Sequence, residues 1–265
     1  MNRIKKSNFQ DKKDRFVPYI MSGDPSYDAA IDIALELQNA GVDALEWGVP
    51  FSDPLADGPV IQAAGDRSRN AGGSLTSALK GIKEARTRGL ELPVVLFTYV
   101  NPVLSYGIEN VVSAMREADI DGILIPDLPF EESEELRELC GKEDISVISL
   151  IAPSSKHRME KISRLGDGFL YYVTSLGVTG TRQSFSDDLA ASIETLKTTA
   201  TVPVLAGFGI STREHVQHFQ SIADGVIVGS ALVKFIGERN LLLQEEETKQ
   251  KALEEIKEFV QELIS

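Results

Sequence analysis

The stretch Ala44-Leu45-Glu46-Trp47-Gly48-Val49, followed by Pro50-Phe51-Ser52-Asp53-Pro54-Leu55-Ala56-Asp57-Gly58-Pro59, sets the reading of this chain. Its first half is short, apolar and ended by a proline, the form of a strand buried on both faces of a parallel sheet. Seven more runs share that form: Phe16–Met21, Val94–Thr98, Gly122–Ile125, Ser146–Ile151, Phe169–Val173, Val202–Ala206 and Gly225–Val228. Amphipathic segments separate them. Tyr27–Ala40 carries Ala30, Ile33, Ala34 and Leu37 on one stripe, and Glu109–Ala118 and Lys156–Leu165 repeat the pattern. Ala40-Gly41 and Arg88-Gly89 mark helix ends, and Ser211-Thr212 offers a cap for the next helix. Repeated strand–helix units imply parallel pairing through right-handed crossovers. Eight such units in 265 residues predict an α/β fold, a (β/α)8 TIM barrel. An open doubly wound sheet would carry G-x-G-x-x-G after its first strand, whereas this chain has Met21-Ser22-Gly23-Asp24-Pro25 there.

Two pieces flank the eight units. Residues 2–13 are expected to form a short polar helix that closes the barrel bottom, and residues 244–264 a charged amphipathic helix. In the latter Leu253, Ile256, Val260 and Leu263 share one face, and Glu245-Glu246-Glu247 suits a solvated first turn. No linker or low-complexity tract interrupts the pattern, so residues 1–265 are expected to form one domain. Lys plus Arg is 27 and Asp plus Glu is 40, a net charge of −13. Without a basic cluster that field repels phosphate backbones, so nucleic acid is not an expected partner, although a local site can still hold a small phosphate ester. The lone Cys140 has no internal partner, the charged start lacks an apolar signal core, and no apolar stretch nears the roughly 20 residues of a membrane span. The expectation is a soluble, cytoplasmic protein.

Barrel active sites lie where strands end and their βα loops begin. Side chains alternate along a strand, so if bulky Trp47 faces the helix layer, Glu46 faces the barrel interior. Burial raises a carboxylate's pKa and lets it exchange protons near neutral pH; the alternative is a glutamate tied to a lysine or a backbone amide. In the rigid loop beyond, Asp53 is expected to cap a turn. Asp57 is placed equally well over the barrel mouth or in a turn of its own. Glycines cluster at the ends of three later strands, in Thr174-Ser175-Leu176-Gly177-Val178-Thr179-Gly180-Thr181-Arg182, Gly207-Phe208-Gly209-Ile210-Ser211 and Gly229-Ser230. Converging glycine loops and a helix start suit a phosphate, the alternative being three ordinary turns. Asp127 and Cys140 are expected to serve loop hydrogen bonding and packing. His157, His215 and His218 fall on helices with no carboxylate or thiolate completing a set, so no metal site is expected.

The strand-two motif resembles the signature of the tryptophan synthase alpha subunit family. The resemblance continues in order through Gly23-Asp24-Pro25, Tyr99-Val100-Asn101-Pro102, Pro126-Asp127-Leu128-Pro129, Gly177-Val178-Thr179-Gly180, Gly207-Phe208-Gly209-Ile210 and Gly229-Ser230-Ala231. It implies a carbon–carbon lyase of tryptophan biosynthesis that cleaves indole-3-glycerol phosphate to indole and glyceraldehyde 3-phosphate. It implies Glu46 as acid and base and Asp57 as second carboxylate. Gly180, Gly209, Gly229 and Ser230 would form the phosphate cradle, and Tyr19, Tyr99, Tyr171, Thr179 and Phe208 the pocket. No cofactor is implied for this chain; pyridoxal phosphate belongs to a beta subunit, which takes the indole within an alpha2beta2 heterotetramer. A free-standing lyase, a non-catalytic activator of the beta subunit and a sugar-phosphate isomerase are the competing functions. The long segment 175–188 is expected to act as a lid. Trp47 replaces a small aliphatic residue usual in the family, a change expected to alter packing and spare the chemistry.

Overall fold

The computed structural model describes residues 2–152, 156–174, 187–207 and 209–265, with the backbone alone for 156, 157, 187 and 188. Eight strands close a barrel in chain order: β1 (Arg15–Met21), β2 (Leu45–Gly48), β3 (Val94–Phe97), β4 (Gly122–Leu124), β5 (Ser146–Ile151), β6 (Leu170–Val173), β7 (Val204–Gly207) and β8 (Gly225–Val228). Every pair is parallel, including the closing β1–β8 pair. All eight predicted strands are present, with ends shifted by two residues at most. Around them run α1 (Ser7–Gln10), α2 (Tyr27–Asn39), α3 (Pro59–Asn70), α4 (Leu75–Thr87), α5 (Val100–Tyr106), α6 (Ile108–Glu117), α7 (Glu134–Lys142), α8 (Lys156–Arg164), α9 (Asp187–Thr199), α10 (Arg213–Ile222), α11 (Ser230–Glu238), α12 (Asn240–Gln244) and α13 (Glu246–Ile264). The expected punctuation holds. Gly41 and Gly89 follow α2 and α4 with positive φ, and the Thr212 side chain, rather than Ser211, caps α10.

Strand alternation divides the apolar residues into two cores. Val17, Tyr19, Met21, Val95, Phe97, Leu124, Ile148, Tyr171, Leu205 and Ile227 fill the barrel interior. Phe16, Ile20, Leu45, Trp47, Leu96, Ile123, Leu170, Tyr172 and Val226 pack outward against the helices. Leu45 and Trp47 lie in the outer core, and Glu46 pairs in register with the inner residues Tyr19 and Val95. Glu46 therefore faces inward. Trp47 packs against α4, where a Cβ on Gly81 would sit in ordinary contact 3.6 Å from the indole.

The N-terminal segment closes the bottom, but not as the polar helix expected over residues 2–13. Only Ser7–Gln10 is helical. Asn2 and Arg3 spend their donors on other segments: Asn2 N–H reaches Asp144 at 3.0 Å, Asn2 Nδ2 the Asp121 carbonyl at 2.8 Å, and Arg3 N–H the Asp121 carboxylate at 2.7 Å. Ile4 and Phe9 then insert as the plug, Phe9 with its ring 6.0 Å from that of Phe169. At the other terminus α13 begins two residues later than expected, because residues 240–244 form α12. Its predicted apolar face is buried, and it packs against α2, α10, α11 and α12. Among the described residues no helix is long and apolar enough to cross a membrane.

Candidate active site

Glu46 is 1% exposed, and its Oε1 has no hydrogen-bond partner among the described residues. No lysine or arginine there forms an ion pair with it. Burial alone lifts its carboxyl to about 8. The glutamate is thus a partly unpartnered acid inside the barrel, not one tied to a cation.

The loop after β2 carries the second carboxylate, Asp57. Asp57 N–H donates to the Pro54 carbonyl at 3.1 Å, and the Asp57 carbonyl accepts from Gln62 Nε2 at 2.8 Å. Its side chain is held from another strand. The Tyr99 phenol, just beyond β3, accepts from Ala56 N–H at 3.2 Å and donates to the Asp57 carboxylate. Phe51 stacks on the Tyr99 ring at 5.3 Å. Burial raises the Asp57 carboxyl to about 6, and the Tyr99 hydrogen bond works against that rise. The two carboxylates thus meet different surroundings, one dry and without a partner at Oε1, one gripped by a phenol. Asp53, by contrast, is exposed and bonded to the neighbouring Ser52 hydroxyl, in keeping with a turn role.

Tyr19 and Tyr171 point inward from β1 and β6. Each phenol crosses a glycine on the adjacent strand. A Cβ on Gly48 would lie 1.9 Å from the Tyr19 oxygen, and one on Gly207 2.4 Å from that of Tyr171. These glycines serve close approach, not unusual φ. Burial, and then the charges of Glu46 and Asp57, hold both phenols well above their ordinary range. Tyr19 meets Phe97 edge-on at 5.5 Å. Gly229 and Ser230 open α11 at the end of β8, with Val233 N–H bonded to the Gly229 carbonyl at 3.0 Å. Gly209 follows β7 at φ +77°, with open space where a side chain would stand. The mouth therefore brings together Glu46, Asp57, Tyr19, Tyr99 and Tyr171, with Gly209, Gly229 and Ser230 at the ends of β7 and β8. Thr179, Gly180, Phe208 and residues 175–186 of the expected lid lie outside the described residues.

Sequence reasoning did not single out Phe51 or Phe97, nor the crossing of Gly48 and Gly207 by the tyrosine rings. The inward parity of β3 was sufficient to find Phe97. It also missed a strut behind the loop. Arg67 of α3 grips buried Asp24 through two bonds of 2.7 and 2.8 Å, and its guanidinium lies against Gly237 of α11. The loop after β1, the helix that follows Asp57 and the helix that starts at Ser230 thus share one contact. Asp127 accepts from Val100 N–H at 2.9 Å, the loop role expected for it. Cys140 is buried, with its thiol pushed up to about 12, as packing requires.

Known proteins share this architecture along most of the chain. The family model described as tryptophan synthase alpha chain matches residues 5–264. The tryptophan synthase alpha chain of Halalkalibacterium halodurans is 49% identical over 254 residues, 96% of each chain. That of Bacillus subtilis is 45% identical over 254 residues, 96% of this chain and 95% of the relative. A chain from the tryptophan synthase a2b2 complex of Pyrococcus furiosus superimposes with a TM-score of 0.85 at 36% identity, covering 95% of this chain and 98% of that one.

Proposed function

The chain belongs to the tryptophan synthase alpha chain family, and from that premise we propose that it cleaves indole-3-glycerol phosphate to indole and glyceraldehyde 3-phosphate, with Glu46 and Asp57 dividing the chemistry. The inward-facing, desolvated carboxyl of Glu46 carries this reading. Protonated Glu46 gives its proton to carbon 3 of the indole, which turns that carbon into a leaving group. The ring nitrogen then bears the positive charge, and ionised Asp57 stabilises its N–H. Glu46, now a carboxylate, takes the proton of the adjacent glycerol hydroxyl. The O–H pair becomes the aldehyde carbonyl, the carbon–carbon pair returns to the ring, and Glu46 is reprotonated for the next cycle. Backbone N–H groups around Gly209, Gly229 and Ser230, with Gly180, anchor the phosphate and hold the chain in line. Tyr171, with Thr179 and Phe208, encloses the indole.

This division has a pH signature. Asp57 must be ionised and Glu46 protonated in the resting enzyme, so kcat/KM is bell-shaped, with limbs near the values of about 6 and about 8 that burial gives the two groups. Tyr99→Phe removes the donor that lowers the Asp57 pKa, so it moves the acid limb upward and leaves the alkaline limb in place. Rate profiles of the two proteins from pH 5 to 9 check this; an unmoved acid limb refutes the role given to Tyr99.

The partner is a beta subunit carrying pyridoxal phosphate, in an alpha2beta2 heterotetramer in the cytoplasm, and residues 1–265 act as one domain without a cofactor of their own. Leu55, 87% exposed in the loop after β2, and Leu104, 57% exposed on α5 after β3, suit contact at the barrel mouth. Indole release by the purified chain, alone and with a beta subunit, tests the reading. Slow release that rises with the partner supports it, fast release alone indicates a free-standing lyase, and no release in either case refutes it.

A further inference from the structure

We infer that the Tyr19 hydroxyl binds the middle hydroxyl of the substrate's three-carbon chain, which makes Tyr19 a specificity-determining contact. The inference rests on the cleavage reading above. Tyr19 is 5% exposed, and its phenol has as hydrogen-bond partner among the described residues only the Met21 thioether, a weak acceptor 4.0 Å away. A phenol this deeply buried ordinarily finds a better partner. The protein spends a glycine to keep it there, since any side chain at Gly48 would occupy the phenol's place.

The direction of the ring gives the partner's identity. At its near end the Tyr19 Cβ lies 3.6 Å from where a Cβ on Gly229 would be, beside the phosphate cradle. At its far end the hydroxyl lies over Gly48, two residues beyond Glu46 on the same inward face of β2. The ring thus runs along the gap that the substrate's chain must bridge, from its phosphate to the bond that breaks. That chain carries two hydroxyls. The one on the reacting carbon gives its proton to Glu46. The other lies between it and the phosphate and is left for Tyr19. Burial, and then the charge of Asp57, keep the phenol protonated, so it can donate to this alcohol.

The middle hydroxyl does not react and passes intact into glyceraldehyde 3-phosphate. A hydrogen bond to it strengthens ground and transition states alike, and so acts on KM rather than kcat. Tyr19→Phe keeps the ring and deletes the hydroxyl. The expected result is a KM for indole-3-glycerol phosphate raised about tenfold, the size of one neutral hydrogen bond, with kcat within about twofold. The affinity for indole-3-propanol phosphate, which has the ring, the chain and the phosphate but neither hydroxyl, stays within about twofold. An unchanged KM in Tyr19→Phe, a fall in kcat alone, or equal losses for substrate and propanol analogue overturn the inference while wild-type cleavage leaves the proposed function standing. Absence of cleavage by the wild-type protein overturns both.

Discussion

Glu46→Gln abolishes indole release and makes the protein more stable. The first effect follows from the double use of one carboxyl. It delivers a proton to carbon and takes one from oxygen, and an amide does neither, so the rate falls by roughly 10³–10⁴-fold or more. The second follows from burial. The Glu46 carboxyl titrates at its ordinary 4.5 in the unfolded chain and at about 8 in the folded one. Between those values the folded state binds more protons, so the ionisation of Glu46 erodes stability as pH rises. Below 4.5 the penalty is absent, and above about 8 it is complete. At pH 7 it amounts to ~3 kcal/mol, from about 1.4 kcal/mol per pH unit. Glutamine has the same shape and no charge to desolvate, so Glu46→Gln melts above wild type at pH 7, by roughly 5–10 °C. The gap narrows towards pH 5 and widens towards pH 8. Thermal melts across that range check it, and coincident melting curves at every pH contradict the burial argument.

Asp57→Asn costs on the order of 10²–10³ in cleavage rate, the size of one preorganised electrostatic contact. Asparagine can still accept from Tyr99 and from an indole N–H, so the fold of the loop and binding of indole-3-propanol phosphate change little. What it lacks is the negative charge that balances the protonated ring. The same substitution removes the acid limb of the kcat/KM profile, because the group that must be ionised is gone. Single-turnover cleavage, measured with analogue binding, separates the two effects. A rate close to wild type, or a surviving acid limb, would show that another group carries the charge.

The two substitutions mark how far the sequence alone could be read. Glu46 was legible because β2 alternates strictly, and a carboxylate flanked by Leu45 and Trp47 could only face the interior. The eight strands were legible for the same reason, as short apolar runs between amphipathic segments. On residue chemistry Asp53 read as a turn cap, and Asp57 stayed even between the barrel mouth and a turn of its own, both lying in one loop rich in proline. What separates them is Tyr99, which reaches Asp57 from the end of a different strand. The Arg67–Asp24 strut is hidden similarly, its partners being 43 residues apart. The N-terminal helix was misjudged because local polarity suggested one short polar helix over residues 2–13, whereas Asn2 and Arg3 bond to segments more than a hundred residues away. Local pattern was sufficient where one element fixes a side chain, and failed where two distant elements share it.

The two tyrosine–glycine crossings also constrain the order in which this protein can change. At Gly48 the clash extends beyond the phenol oxygen to ring carbons at 2.3 and 2.8 Å, and at Gly207 to ring carbons at 2.6 and 2.7 Å. Trading either tyrosine for phenylalanine therefore frees no room for alanine on the adjacent strand. A lineage can lose Gly48 or Gly207 only after the facing ring has given way to a shorter side chain, and then the reverse step is closed, because the new Cβ occupies the place of the ring. Each crossing acts as a one-way gate in descent, so the two pairs should be inherited as units.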